Sequence, residues 1–217
     1  MNALRLHVLA LASVVVVAGA CGSGSSGGAS STGVTAAAAS SGSTGAGALV
    51  AEAQQTAAGD ISDNQVFLRY RNRTVPYSMK YPEGWAVAVQ GATTTIRDKN
   101  NLIRIVATTG SRPTVATVTS ELARLQARTP SLRPGAPSAS PKCAIRGQTR
   151  AVPAATVRVD YSTLSAADPV TGKRVKLLVN RYYLFHAGRV VMVDEGTPQG
   201  VDNVDAYCLM ISSFRWR

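Results

Sequence analysis

Three cysteines, two histidines and a surplus of arginine are the residues of this 217-residue chain whose types and spacing bear on chemistry. Cys143 and Cys208 are the strongest constellation: with Cys21 used elsewhere they form an even pair, and an exported chain favours a disulfide between them. The bridge would join the start of a strand to the core-facing stripe of the last helix and stabilise the fold by roughly 2–4 kcal/mol. Two separate buried thiols are the other reading. Arg69, Arg71 and Arg73 alternate around Tyr70 and Asn72, so a strand there would line three guanidinium groups along one face. Such a row suits two-pronged gripping of phosphate or carboxylate, and a solvated strand edge blunted by charge is the competing reading. His7 lies in the first seven residues, which leaves His186, beside the turn Ala187-Gly188, for acid–base work. Ser162 or Ser78 with Asp160 or Asp194 would complete a Ser-His-Asp set, but no motif around any of them fixes that geometry. Asp194-Glu195 and Asp202/Asp205 lack a companion His or Cys, or calcium-loop spacing. Trp85, Tyr182, Tyr183 and Phe185 are core or sheet-face aromatics first, with Trp85, Tyr182 and Tyr183 the candidate lining of a ligand groove. No catalytic residue, metal ligand or cofactor is assigned.

An address precedes the domain. Arg5 gives a short positive start, Val8–Val17 an apolar run interrupted only by Ser13, and Ala18-Gly19-Ala20 small residues before Cys21, which is the pattern of an export signal over 1–20. The run is too short for the ~20 residues that a spanning helix needs. Gly19-Ala20-Cys21 resembles a bacterial lipobox, although Ala18 stands where a larger aliphatic residue is usual. Cys21 is therefore the expected lipid anchor, on the outer face of a bacterial cytoplasmic membrane; ordinary signal-peptidase cleavage, which Ala18-x-Ala20 also suits, is the other reading. Residues 21–48 then read as the anchor and an uncharged Gly/Ser/Ala tether. Gly24-Ser25-Ser26-Gly27-Gly28 fits a nucleophile-elbow pattern and Gly22, Gly24 and Gly27 a dinucleotide pattern, but neither has the flanking strand and helix that give those patterns a mechanism.

Residues 49–63 read as a short helix, Leu49–Thr56, or a linker, and 64–217 as the globular domain. Val75, Tyr77, Met79 and Tyr81 alternate with polar positions, and Pro82-Glu83-Gly84 suits a turn. Strands are expected at Ala86–Gln90, Thr93–Arg97 and Leu102–Thr108. Val115, Val118, Leu122 and Leu125 then recur at helical spacing behind a Thr114 or Thr117 cap. Pro130, Pro134, Pro137 and Pro141 make 129–141 an irregular, preferentially disordered loop. Four further strands follow over 142–150, 154–163, 174–186 and 189–195, and a final helix carries Val201, Val204, Cys208 and Ile211 on one stripe. The fold class is α+β, with an antiparallel sheet of about seven or eight strands.

The run Tyr77-Ser78-Met79-Lys80-Tyr81-Pro82-Glu83-Gly84-Trp85 resembles the opening strand and turn of the PsbP-like family. Tyr182-Tyr183-Leu184-Phe185, Gly188-Arg189-Val190-Val191 and Ser213-Phe214 resemble its last hairpin and helix. The family includes the extrinsic photosystem protein, a eukaryotic Ran-binding protein and actinobacterial lipoproteins of the LpqN type. The resemblance implies an α-β-α sandwich around the sheet and a binding or assembly role without a shared catalytic residue. The Pro-rich segment and the two domain cysteines depart from it, and no photosystem partner is carried over.

The chain is +11 overall, and residues 64–217 hold 22 basic against 9 acidic side chains. Outside the cytoplasm this points away from nucleic acid and towards an envelope protein, anionic polymer or lipid head groups as partner.

Overall fold

Burial alternates along residues 93–98 and 101–109, whereas most of residues 190–198 are buried on both faces. The computed structural model describes residues 59–152, 155–168 and 170–217, which all belong to the unit Ser41–Arg217. The export signal expected over 1–20, the expected anchor Cys21, the tether expected up to residue 48 and the helix expected at Leu49–Thr56 lie outside the described residues. The strands are β1 (Phe67–Arg71), β2 (Tyr77–Pro82), β3 (Ala86–Gln90), β4 (Thr93–Asp98), β5 (Asn101–Thr109), β6 (Arg133–Pro134), β7 (Ser138–Ala139), β8 (Lys142–Ile145), β9 (Gln148–Ala151), β10 (Ala155–Leu164), β11 (Lys176–His186), β12 (Arg189–Pro198) and β13 (Arg215–Trp216). The helices are α1 (Val115–Arg128) and α2 (Val204–Ser212). An eight-stranded antiparallel sheet runs β3-β4-β5-β12-β11-β10-β6, with β7 also on β10, beside a three-stranded sheet β1-β2-β13 and the hairpin β8-β9. The fold is α+β.

The large sheet is covered on both faces. Val118 and Leu122 of α1 pack with Val157, Val159, Tyr183 and Val190 on one side. On the other, Ile103, Ile105, Tyr182, Leu184, Val191 and Val193 join Tyr207, Cys208, Met210 and Ile211 of α2 and Tyr77 and Met79 of β2 in one apolar cluster. Successive strand residues point to opposite faces, so adjacent residues Tyr182 and Tyr183 feed separate cores. Thr114 caps α1 reciprocally: its hydroxyl accepts from the Thr117 N–H and the Thr117 hydroxyl accepts from its own N–H.

Three local expectations need correction. The segment 129–141 is not an irregular loop throughout, since Arg133–Pro134 and Ser138–Ala139 pair with β10. Proline is tolerated there because the segment lies at the sheet edge, and a Cβ on Gly135 would sit 2.9 Å from the Asp160 carbonyl oxygen, whose bond from the Gly135 N–H is 2.7 Å. Residues 142–150 are not one strand but the hairpin β8-β9, turned at Arg146 (φ 48°) and Gly147 (φ 73°). The chain joins the fold by Gly59 rather than at 64: Asn203 Nδ2 donates to the Gly59 carbonyl at 3.2 Å and Asn203 Oδ1 accepts from the Ile61 N–H at 2.8 Å. The short β13 also escaped the sequence pattern.

Cys143 and Cys208 are bonded, with 5.4 Å between their Cα atoms, and tie the β8-β9 hairpin to α2. Replacing both by Ser is expected to lower stability to urea by about 2–4 kcal/mol; an unchanged midpoint would show that packing alone holds the hairpin.

Double coverage encloses three charged residues. Arg181 on β11 faces Asp194 on β12 in register and donates to both its oxygens, at 2.5 and 2.9 Å, while Arg104 reaches the same carboxylate at 3.1 Å. Glu195, on the opposite face, is 1% exposed and its Oε1 has no hydrogen-bond partner. Burial pushes its pKa well above the ordinary carboxyl value; Arg158 opposes the rise and Asp160 adds to it. An acid whose pKa is higher folded than unfolded favours the folded state most at pH below its unfolded value, and that contribution is lost as pH rises towards the folded value. Glu195→Gln keeps the shape without the proton. Its stability relative to the parent is therefore expected to improve steadily from pH 5 to pH 8, read as urea midpoints, whereas a pH-independent difference would show a carboxyl with an ordinary pKa.

Candidate functional site

The register of the small sheet brings cationic side chains together from three strands. Arg69 of β1 lies opposite Lys80 of β2, and Ser78 of β2 lies between Arg71 of β1 and Arg215 of β13. Alternation puts all of these on one face, away from the core-facing Tyr77 and Met79. Arg217 follows, its N–H donating to the Pro76 carbonyl at 2.7 Å. Arg73 is not on the strand as expected, because β1 ends at Arg71 and Asn72 Oδ1 accepts from the N–H groups of Thr74 and Val75 in a side-chain turn. Its neighbourhood is nevertheless the same.

Two shallow grooves meet at Arg69. One, of about 440 Å³, is lined by Arg69, Lys80, Arg150 and Arg215 with Ile145, Leu209, Ser212 and Ser213. The second, of about 690 Å³, is lined by Arg69, Arg71, Arg73 and Arg217 with Asn72, Thr74 and Pro76. No acidic side chain lines either groove, and the four ion pairs among the described residues use none of these seven cations. Arg69 makes one long hydrogen bond, 3.4 Å to the Ser78 hydroxyl, and Arg215 donates to the carbonyls of Ser212 and Phe214. Like charges directly opposite across a strand pair oppose folding by some tenths of a kcal/mol. Such a face accepts phosphate, carboxylate or sulfate oxygens.

A larger cleft of about 750 Å³ adjoins the first groove and shares Ile145, Arg150 and Leu209 with it. Its walls mix Asp60, Asp63, Asp202 and Asp205 with Arg146 and Arg150, and Asp205 accepts from the Arg146 N–H at 2.9 Å. Burial raises the Asp60 pKa; the Ile61 N–H counters this, and the charges of Asp202 and Asp63 reinforce it. No cluster of three His, Cys, Asp or Glu able to hold a metal occurs among the described residues.

The remaining candidates do not converge on a site. The groove expected from Trp85, Tyr182 and Tyr183 is corrected: all three are buried, Tyr182 on the α2 side under the Arg158 guanidinium, Tyr183 on the α1 side donating to Glu121. His186 is exposed and its ring lies 5.7 Å from that of Trp216. Asp194 is held by two arginines and pairs with Arg181, five residues from His186 along β11, about 16 Å at ~3.3 Å per residue. Asp160 is paired with Arg158. Arg150, Arg215 and Arg217 are site residues that sequence reasoning missed, since only the β8-β9 turn and the unpredicted β13 bring them to the face.

No protein-family model matches the chain, and no curated protein matches it. Among solved structures, cyanobacterial PsbP (CyanoP) from Synechocystis sp. PCC 6803 aligns at 14% identity over 73% of this chain and 98% of that one, with a TM-score of 0.45. The Ran-binding protein Mog1p of Saccharomyces cerevisiae aligns at 10% identity over 70% and 96%, with a TM-score of 0.42. A protein from Bacteroides thetaiotaomicron VPI-5482 aligns at 12% identity over 69% of this chain and 48% of its own, with a TM-score of 0.40.

Proposed function

We propose that this chain is an exported binding module, held at the membrane by a lipid on Cys21, whose basic face takes an anionic ligand of the cell envelope without catalysing a reaction on it. The observation that carries the reading is the pair of grooves joined at Arg69, where seven cationic side chains gather and no acidic side chain lines either groove. A face used only for solubility has no need of single-sign charge in register, because alternating signs would solvate it equally well at lower repulsive cost. The Cys21 assignment rests on the apolar run, Gly19-Ala20-Cys21 and the uncharged segment behind it. No described helix is long and apolar enough to cross a membrane.

Two outcomes follow. Cys21→Ser is expected to shift the full-length chain from the membrane pellet to the soluble fraction of fractionated cells and to abolish palmitate incorporation; equal membrane association of the two forms would remove the anchor. Binding of the unlipidated chain to inorganic polyphosphate is expected to weaken at least tenfold between 50 and 300 mM NaCl, because exposed charges are screened within ~10 Å at 0.1 M salt. Arg69→Gln/Arg71→Gln/Arg73→Gln should weaken it further, and binding indifferent to both changes would refute an ionic face.

A further inference from the structure

The chain enters the fold at the mixed cleft of Asp60, Asp63, Asp202, Asp205, Arg146 and Arg150, and that cleft borders the basic face through Arg150. Gly59 and Ile61 are bonded to Asn203 just before α2, and Asp60, Ile61 and Asn64 form a wall of the cleft that shares Arg150 with the first basic groove. Between Cys21 and Gly59 stand 37 residues. For the uncharged Gly/Ser/Ala stretch 22–47 the square-root rule gives an expected reach of about 25–30 Å, to which the helix expected at Leu49–Thr56 would add about 12 Å. A domain of this size has a radius of gyration of about 15 Å, which for a sphere is a diameter of about 39 Å, so the tether reaches about one domain diameter. An anchor so close favours orientations that turn the point of entry, and the face next to it, towards the bilayer.

Six of the seven groove cations are exposed and Lys80 is half-buried. The grooves are shallow and meet at Arg69, which gives a broad charged surface rather than a pocket that encloses a small molecule. From the charge, the breadth and the entry point together, we infer that the basic face is a docking surface for the anionic head groups of the membrane that carries the anchor, and that it seats the domain against the bilayer. This inference rests on the anionic-ligand reading above and narrows it to one source. Tethering holds the face near head groups at an effective concentration in the millimolar range, so contacts too weak to recruit a free protein suffice to orient an anchored one.

The test uses the chain from residue 21 with Cys21→Ser, its disulfide formed, so that no acyl chain contributes. Co-sedimentation with vesicles of equal phosphatidylglycerol and phosphatidylcholine should exceed that with pure phosphatidylcholine at least tenfold in 50 mM NaCl, and should be lost in 500 mM NaCl. Each cation near an anionic surface contributes roughly fivefold, so Arg69→Gln/Arg150→Gln/Arg215→Gln should reduce affinity on the order of 100-fold. A control of equal charge, Arg124→Gln/Arg128→Gln/Arg174→Gln, removes exposed cations outside the grooves and should cost less than fivefold. Matching unfolding midpoints establish that both variants are folded; should the groove variant not fold, Arg69→Gln alone is read for its roughly fivefold loss. Equal losses in the two triple variants would overturn the assignment to this face. Binding to polyphosphate but not to anionic vesicles would overturn the membrane as the source while leaving the anionic-ligand reading in place. Binding to neither would overturn both.

Discussion

The structure depends on the covering of both faces of β11 and β12. Along β12, residues 190, 191, 193, 194, 195 and 196 are buried together, so the strand has no solvent side over its middle. Hydrophobic burial on two faces supplies the main favourable energy of the domain, and it also dictates how polar residues in those strands are handled. Asp194 is matched by two arginines, whereas Glu195 meets the same constraint with no partner at Oε1 and is driven towards its neutral form. The covering elements are α1 on one side and, on the other, α2 with the small sheet. The face proposed for binding is the outer surface of that cover.

This arrangement separates the acidic from the basic side chains. Asp194, Asp160 and Glu121 are engaged with arginines of β5, β10 and β11, and Glu195 is buried. Asp202 and Asp205 sit at the start of α2, beside the mixed cleft. The β1-β2-β13 surface therefore keeps its positive charge uncompensated. The disulfide matters to the same surface, because Arg150 lies opposite Cys143 on the hairpin that the bridge fixes to α2.

Much of this was legible along the chain. The meander β3-β4-β5, the capped helix α1, the β11-β12 hairpin and α2 each announce themselves through local periodicity or turn chemistry, which needs no knowledge of distant residues. The cysteine pair was legible through parity together with the export expected from residues 1–20. The Pro-rich segment was misjudged because proline excludes interior strands but not the two-residue edge pairings seen on β10. The hairpin at 142–150 was missed because residues 142–145 and 148–151 are mostly polar or small and lack the alternation that marks a half-buried strand.

Composition, parity and periodicity are local or additive quantities, so the α+β class, the excess of basic residues and Cys143 and Cys208 as a candidate pair could be read along the chain, while the bond between the two cysteines is seen in the fold. Where that charge gathers depends on strand register and layer packing. The triplet Arg69, Arg71 and Arg73 becomes part of a seven-cation face because β2 and β13 carry Lys80, Arg215 and Arg217 to it and the disulfide-held hairpin brings Arg150. These are residues up to 148 positions apart from Arg69 in the chain. Cross-strand register and layer packing, not neighbouring sequence, set their distances, and the same packing sent Tyr182 and Tyr183 into opposite cores instead of a shared groove.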